Sequence, residues 1–164
     1  MRSGLEVLLD DHLDLIRGRR VAMCCNHTAV DRNFRHAIDR LAAAGVTLVR
    51  LFGPEHGVRA TAQDMEGVDE IVDPVTGVST VSLYGDSEKS LHPEDRFLAD
   101  VDVLLFDIQD IGARFYTYQA TLGFIMQVAA RTGTEVIVLD RPNPIGGTQV
   151  EGNLVRPGFE SFVG

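Results

Sequence analysis

The chain has 164 residues, which is the usual size of one globular domain. With 45% hydrophobic and 24% charged residues, it can build a core without the help of a disulfide or a metal. The formal net charge of -9 argues against nucleic acid or an anionic membrane as the main partner, because both bind clustered Lys and Arg.

The N-terminus and the two cysteines indicate the cellular compartment of the protein. Residues 1–4 lead directly into an amphipathic segment and do not resemble a signal peptide. No apolar run approaches the roughly 20 residues that a membrane span needs. Cys24 and Cys25 are adjacent, so their side chains point to opposite faces of a strand, and we expect two buried free thiols. Free thiols fit a reducing compartment, and we expect a cytoplasmic protein.

Apolar residues first recur at helical spacing over residues 5–16, which predicts an N-terminal helix that ends near Gly18. Short apolar runs then alternate with segments of helical periodicity. The predicted strands cover residues 21–25, 46–52, 79–84, 101–108 and 136–139, and the predicted helices cover residues 33–44, 93–98 and 113–131. The polar stretch 58–77 predicts a long excursion.

This alternation indicates an α/β fold with βαβ units and a mainly parallel sheet that is covered on both faces. Residues 1–150 are expected to form this domain. The segment 151–164 contains Phe159 and Phe162, apolar residues that need a partner at a terminus. We therefore expect residues 151–164 to begin a linker or a second domain that is truncated here.

Polar side chains follow the predicted strands, at the end where ligands bind in open α/β sheets. They are Asn26, His27 and Thr28 after the first strand, Glu55 and His56 after the second, Tyr84 after the third, Asp107, Gln109, Asp110, Arg114, Tyr116 and Tyr118 after the fourth, and Asp140, Arg141 and Asn143 after the fifth. Their position predicts one shared site.

Several roles are open for the carboxylates of this site. Glu55 lies in a loop between a proline and a glycine, where partial burial would suit a general acid, although a solvated or helix-capping role is the alternative. Asp107 and Asp110 could provide a catalytic base, bind sugar hydroxyls, hold a hard cation or cap the next helix, and one of the two is expected to be structural.

The remaining candidates also have two interpretations. Arg114 could pair with a substrate carboxylate or with a neighbouring loop. On one helix Tyr116 and Tyr118 would face different ways, so at most one is expected to line the site. Asp140 could hold Arg141 in place. The sequence lacks the zinc-binding, dinucleotide, Walker and nucleophile-elbow motifs, so no metal or nucleotide is predicted.

Five stretches of the sequence resemble the NamZ-type exo-β-N-acetylmuramidases, long catalogued as a domain of unknown function. They are residues 26–28 (NHT), 51–57 (LFGPEHG), 82–85 (SLYG), 106–118 (FDIQDIGARFYTY) and 139–147 (LDRPNPIGG). The resemblance extends from Gly4 to Gly164. It implies a Rossmann-like three-layer N-terminal domain and a smaller C-terminal domain, with the active cleft between them.

The resemblance also implies a glycoside hydrolase without a cofactor that releases terminal N-acetylmuramic acid from peptidoglycan fragments, as in cell wall recycling. Glu55 matches the glutamate of the family's Pro-Glu-His-Gly motif, and Glu151 is the first candidate for a second carboxylate, with Asp107, Asp110 and Asp140 as competitors. Family members are about twice as long as this chain, so the far wall of the cleft, formed by the missing C-terminal domain, is expected to be absent.

The substrate-binding candidates are Asn26, His56, Gln109, Asp110, Arg114, Tyr116, Asp140, Arg141 and Asn143. The rival interpretation is a non-catalytic Rossmann-like module that holds a muropeptide or sugar without cleaving it. The sequence does not choose between retaining, inverting and substrate-assisted hydrolysis.

Overall fold

The computed structural model describes residues 1–54, 57–59, 71–83 and 88–163. Its strands are β1 (Arg20–Cys25), β2 (Thr47–Gly53), β3 (Ile71–Val72), β4 (Ser79–Ser82), β5 (Val103–Asp107) and β6 (Glu135–Val138). They form one sheet in the order β3-β4-β2-β1-β5-β6. All neighbours pair in parallel except the short edge strand β3, which is antiparallel to β4. The predicted mainly parallel α/β sheet is confirmed.

Among the described residues, three α-helices accompany the sheet: α1 (Gly4–Asp11), α2 (Ala37–Ala43) and α3 (Tyr118–Thr132). Helix α1 starts with a capping box, in which Ser3 and Glu6 satisfy each other's backbone N–H groups. Helix α3 ends at Gly133, whose φ of 76° is the left-handed conformation of a helix C-cap. None of the described helices is long and apolar enough to cross a membrane.

The helices cover both faces of the sheet and produce three layers. One core cluster joins residues of α1 and α2 to Val21, Met23 and Cys25 of β1. The other joins α3 to Ala22 and Cys24 of the same strand. The alternation follows from the two-residue period of a strand, and it places the two cysteines on opposite faces as predicted. Both are buried free thiols, and burial raises the pKa of each.

Helix α2 begins later than the sequence pattern predicts, because Asp31 organises the preceding loop. One carboxylate oxygen of Asp31 accepts hydrogen bonds from the backbone N–H groups of Asn33, at 2.8 Å, and Arg35, at 3.0 Å. Phe34, which lies within the predicted helix 33–44, has a φ of 59° and is 87% exposed. A local side-chain interaction thus outcompetes the helix, as short acidic side chains often do.

The strand order creates a crevice at the centre of the sheet. Strand β1 leads through α2 to β2 on one side, and the chain later returns to β5 on the other side of β1. The crossover direction therefore reverses between β1 and β5. In open α/β sheets the ligand crevice forms at such a point, outside the carboxyl ends of the strands. Asn26 and Asp107 lie at these two ends, since Cys25 is in register with Asp107.

Candidate active site at the carboxyl edge of the sheet

A buried ion pair between Asp107 and Arg141 lies at the carboxyl end of β5, beside the point where the crossover direction reverses. The Arg141 Nε donates to one Asp107 oxygen at 2.5 Å, and its Nη2 donates to the other at 3.1 Å. The Asp107 side chain is fully buried. Burial raises the pKa of Asp107, and the Arg141 guanidinium opposes that rise. The two-pronged geometry fixes Arg141 rather than leaving it free to move.

Arg141 also ties a third segment to the crevice, because its Nη2 donates to the Val30 carbonyl at 3.1 Å. From the opposite side, the Gly4 N–H donates to the Asp140 carbonyl at 2.8 Å. A side chain at Gly4 would collide with the backbone of Leu139 and Asp140. The turn after β6 is thus held by the N-terminal helix and by β5 together.

A second network joins the residues that follow β1 and β5. The Asn26 carboxamide oxygen accepts from the Thr28 N–H at 2.9 Å and from the Thr28 hydroxyl at 2.5 Å. The same hydroxyl oxygen accepts from the Gln109 N–H at 3.0 Å. The Gln109 carboxamide in turn donates to the carbonyls of Asp110, at 2.7 Å, and Pro142, at 2.9 Å. Three strand ends are therefore connected by hydrogen bonds.

The amide nitrogen of Asn26 is the exception in this network. It is buried and has no hydrogen-bond partner within the described part of the chain. A buried donor without a partner costs roughly 1–3 kcal/mol. Native structures keep few such groups, and a binding role is one of the reasons for which they are kept.

His36 connects the residue after β1 to the start of α2. Its Nε2 lies 3.1 Å from the Asn26 carbonyl, and its Nδ1 lies 3.3 Å from the Ile38 N–H at the start of α2. This pattern assigns the proton to Nε2, which donates to Asn26, and leaves Nδ1 as the helix cap. Burial lowers the pKa of His36, so the neutral form is favoured. His36 is thus the half-buried N-cap of α2.

Glu55 and His56 lie outside the described part of the chain, whereas the residues that flank them are described. The Gly57 N–H donates to the Pro54 carbonyl at 2.9 Å. Arg59 then pairs with Asp39 of α2, at 2.7 Å, and with Asp73, at 2.6 Å. Asp73 and Arg59 are mostly buried. Tyr84 also lies outside the described residues.

Burial alone would raise the pKa of Asp73, but hydrogen bonds from Arg59 and Thr76 outweigh it and lower the pKa to about 2. The carboxylate is thus ionised and held by several donors. The sequence offered no signal for Arg59 because its partners come from α2 and from the strand pair at the sheet edge. Two successive sections of chain, 57–59 and 71–83, meet through this ion pair.

The remaining predicted site residues are more exposed. Asp110 is half-buried and accepts from the Gly112 N–H at 2.5 Å. Asn143 and Asp140 are exposed, and Asp107 rather than Asp140 holds Arg141. Glu151 is exposed and accepts from Gln149 at 3.0 Å. The structure therefore does not place Glu151 against the buried Asp107 pair.

The two tyrosines lie at the start of α3. Tyr118 packs in the core beneath the sheet, and Tyr116 contacts it edge to face, with ring centroids 4.8 Å apart. The helix begins at Tyr118, five residues later than its predicted start. Tyr116 is half-buried and precedes the helix, so it is the tyrosine of the pair with an accessible surface.

The fold and the crevice together define a class: an α/β protein with a carboxylate, amides and a guanidinium gathered at the carboxyl edge of a parallel sheet. The family model for the N-terminal part of exo-β-N-acetylmuramidase NamZ matches residues 21–164. The chain belongs to this family.

Similar proteins agree with this assignment. The peptidoglycan β-N-acetylmuramidase NamZ of Bacillus subtilis (strain 168) is 41% identical over 165 residues, which cover 100% of this chain and 39% of that protein. A DUF1343 family protein of Bacteroides fragilis NCTC 9343 superposes with a TM-score of 0.87 at 45% identity, over 99% of this chain and 40% of that one.

A second DUF1343 family protein of the same organism has a TM-score of 0.81 at 31% identity, again over 99% of this chain and 40% of the other. The chain thus spans about two fifths of the length of these relatives. The expected membership of the NamZ family is confirmed.

Proposed function

We propose that this chain provides the catalytic domain of an exo-β-N-acetylmuramidase, which releases terminal N-acetylmuramic acid from peptidoglycan fragments. The observation that carries the proposal is the family match over residues 21–164, which includes the whole carboxyl edge of the sheet. The relative from Bacillus subtilis is named as a peptidoglycan β-N-acetylmuramidase, and it is similar to this chain from end to end.

Glycoside hydrolysis requires a carboxylic acid that protonates the glycosidic oxygen, and a second group that attacks the sugar carbon or activates water. We assign the acid to Glu55, on the segment anchored by Arg59. Glu151 remains the first candidate for the second carboxylate, which would require the exposed tail to approach the crevice. A separation of about 5 Å between the two carboxyls predicts retention, and about 6.5–9.5 Å predicts inversion.

The buried state of Asp107 supports a positioning role rather than a chemical one. Both of its oxygens are occupied by Arg141, and the group has no contact with solvent. It therefore holds the turn that carries Asp140, Arg141 and Asn143. Asp107 was a candidate catalytic residue, and the proposal keeps it in the site as the anchor of that turn.

Two sets of polar atoms are proposed to bind the sugar. The Asn26 amide nitrogen is a donor without a partner among the described residues, and it suits a carbonyl such as that of the 2-acetamido group. His56, Asp110, Tyr116 and Asn143 are proposed to contact hydroxyl groups. Gln109 has both of its amide donor bonds inside the protein, so we propose that it shapes the crevice.

We further propose that residues 1–150 form the catalytic domain and that residues 151–164 lead toward a second domain that completes the cleft. Every described helix and strand ends by Val138, and the segment that follows is largely exposed. A cytoplasmic location is part of the proposal, and the two buried free thiols support it.

The test is release of product from a chromogenic β-N-acetylmuramide, by this chain and by a version extended to the length of its relatives. We expect Glu55→Gln to lower turnover by 1,000-fold or more, roughly the effect of losing a general acid in an otherwise intact site. Glu94→Gln is the matched control, because Glu94 is exposed and pairs with Arg96 away from the crevice.

Activity in the extended chain alone would make this chain an incomplete enzyme of the same function. Near-normal turnover by Glu55→Gln would remove Glu55 from catalysis. If both wild-type chains are silent, the second candidate moves ahead: a module that binds a muropeptide without cleaving it. That candidate is favoured by the 39% coverage of the relative, and calorimetry with N-acetylmuramic acid would detect it.

A further inference from the structure

Arginines in this chain are almost all paired with carboxylates, as expected where 24 acidic residues outnumber 15 basic ones. Within the described chain, only Arg17, Arg114 and Arg156 make no ion pair with a described carboxylate. Arg17 lies in the turn before β1, at the amino end of the sheet. The other two occur together.

Arg114 and Arg156 line the same open pocket, which has a volume of about 460 Å³. The Arg114 Nη2 donates to the Asn153 carbonyl at 2.5 Å, which fastens the segment after β5 to the C-terminal tail. The Phe159 N–H donates to the Arg156 carbonyl at 3.0 Å and closes a turn on the other side of the pocket.

The chemistry of the described lining is suited to an anion. It contains two guanidinium groups, and no Asp or Glu is among the described lining residues. Ser161 adds a hydroxyl whose oxygen accepts from the Val163 N–H at 3.3 Å, so its hydrogen remains available for donation. Two like charges in one pocket repel each other unless a negative group lies between them, and a carboxylate matches the planar guanidinium fork.

We propose that this pocket is a carboxylate-binding subsite, in which Arg114 and Arg156 grip the anionic group of the substrate. Arg114 belongs to the connection between β5 and α3, which also carries Gln109, so the subsite lies at the carboxyl edge of the sheet with the crevice. The identity of the sugar rests on the proposed function: N-acetylmuramic acid carries a lactyl carboxylate that N-acetylglucosamine lacks. The subsite would thus select N-acetylmuramic acid over N-acetylglucosamine.

The test is calorimetric titration of the 164-residue chain with three probes: N-acetylmuramic acid, N-acetylglucosamine and D-lactate. We expect Arg156→Gln and Arg114→Gln each to lower the affinity for N-acetylmuramic acid about tenfold or more, the usual effect of losing a charge-assisted hydrogen bond. The affinity for N-acetylglucosamine should be unchanged. Arg17→Gln removes an arginine without a described ion-pair partner from the turn before β1, and it should leave the affinities for all three probes unchanged. Arg156→Lys should restore part of the affinity, and added salt should weaken only the carboxylate probes.

The outcomes separate this inference from the proposed function. Arginine-dependent binding of D-lactate, with neither sugar bound, would uphold a carboxylate subsite and count against the sugar-binding proposal. Equal affinity for the two sugars, unchanged in Arg156→Gln, would overturn the subsite while leaving sugar binding intact. Failure of every carboxylate probe to bind would overturn it as well. Melting temperatures of the variants check that each is folded.

Discussion

Buried polar groups define this molecule at the scale of single residues. Asp107 and Arg141 illustrate the principle, because each alone would be an uncompensated charge in a region without solvent. The ion pair costs desolvation free energy, but it fixes the turn after β6 to β5. The residues that hold the crevice together are therefore not necessarily the ones that touch a substrate.

Arg141→Gln should destabilise the protein by roughly 3–5 kcal/mol at neutral pH, since it leaves the Asp107 carboxylate buried without its counter-ion. Arg141→Lys should lower the free energy of unfolding by less, because the positive charge remains. Urea denaturation measures both. Asp107→Asn combined with Arg141→Gln should recover part of the loss, because neither charge is then buried.

The pH dependence gives a second check on that variant. Burial raises the pKa of Asp107 in the folded state, so the folded protein binds this proton more readily than the unfolded chain. Its contribution to stability is therefore greatest below the unfolded pKa and falls as pH rises through the folded pKa. Without Arg141 the pKa should rise further, so Arg141→Gln should be less destabilising at pH 5 than at pH 7. An equal loss at both would contradict the role given to the pair.

At the scale of elements, the first turn of α2 connects helix stability to the crevice. His36 caps the helix through Nδ1 and reaches the Asn26 carbonyl through Nε2. Protonation of Nδ1 would turn the cap acceptor into a donor that faces the Ile38 N–H. The same imidazole ring thus contacts both the start of α2 and the residue that follows β1.

His36→Ala should cost about 1 kcal/mol from the lost cap, in addition to the lost bond to Asn26. Burial lowers the pKa of His36 below its ordinary value of 6.5, so the unfolded chain binds the proton more readily. The stability from neutral His36 is complete above that value and declines as pH falls below it. Thermal melting between pH 7.5 and 5 measures the slope.

His36→Asn is the matched variant, because asparagine caps helices well and does not titrate. It should keep most of the stability at pH 7.5 and flatten the decline at lower pH. A decline as steep as that of the wild type would assign the pH dependence to other groups.

For the whole molecule, the segment after β6 differs from the rest. Val150 is 96% exposed and Leu154 is 90% exposed, whereas every residue of β5 and every residue of β1 after Arg20 is buried. Scattered apolar residues on a surface are ordinary, but several within one terminal segment indicate a surface that a partner covers. This agrees with the proposal that residues 151–164 lead toward a second domain.

We expect the chain to bind a hydrophobic dye such as anilinonaphthalene sulfonate through this segment. Ile145→Ser combined with Val150→Ser should lower the dye fluorescence, whereas Val75→Ser, at a residue that is 65% exposed elsewhere, should have little effect. A version extended to the length of the relatives should also bind less dye. Undiminished binding by the extended version would argue against a covering domain.

The sequence by itself determined the class of fold and the edge of the sheet at which the candidate site residues lie. Short apolar runs and helical periodicity are local consequences of burial, so they predicted the parallel strands directly, and they placed the end of the last helix at residue 131, one residue from its observed end at Thr132. Because parallel strands point the same way, the residues after them had to meet at one edge. Motifs such as residues 51–57 and 106–118 then indicated the family, and the family match confirmed it.

Only the tertiary structure decided which of these residues hold one another. The partner of Arg141 is Asp107, 34 residues away, rather than its neighbour Asp140. The partners of Arg59 come from two other elements, and the pocket of Arg114 and Arg156 joins segments that are distant in sequence. Such pairs depend on strand order and on the register between strands, which are properties of the assembled sheet and leave no local pattern in the chain.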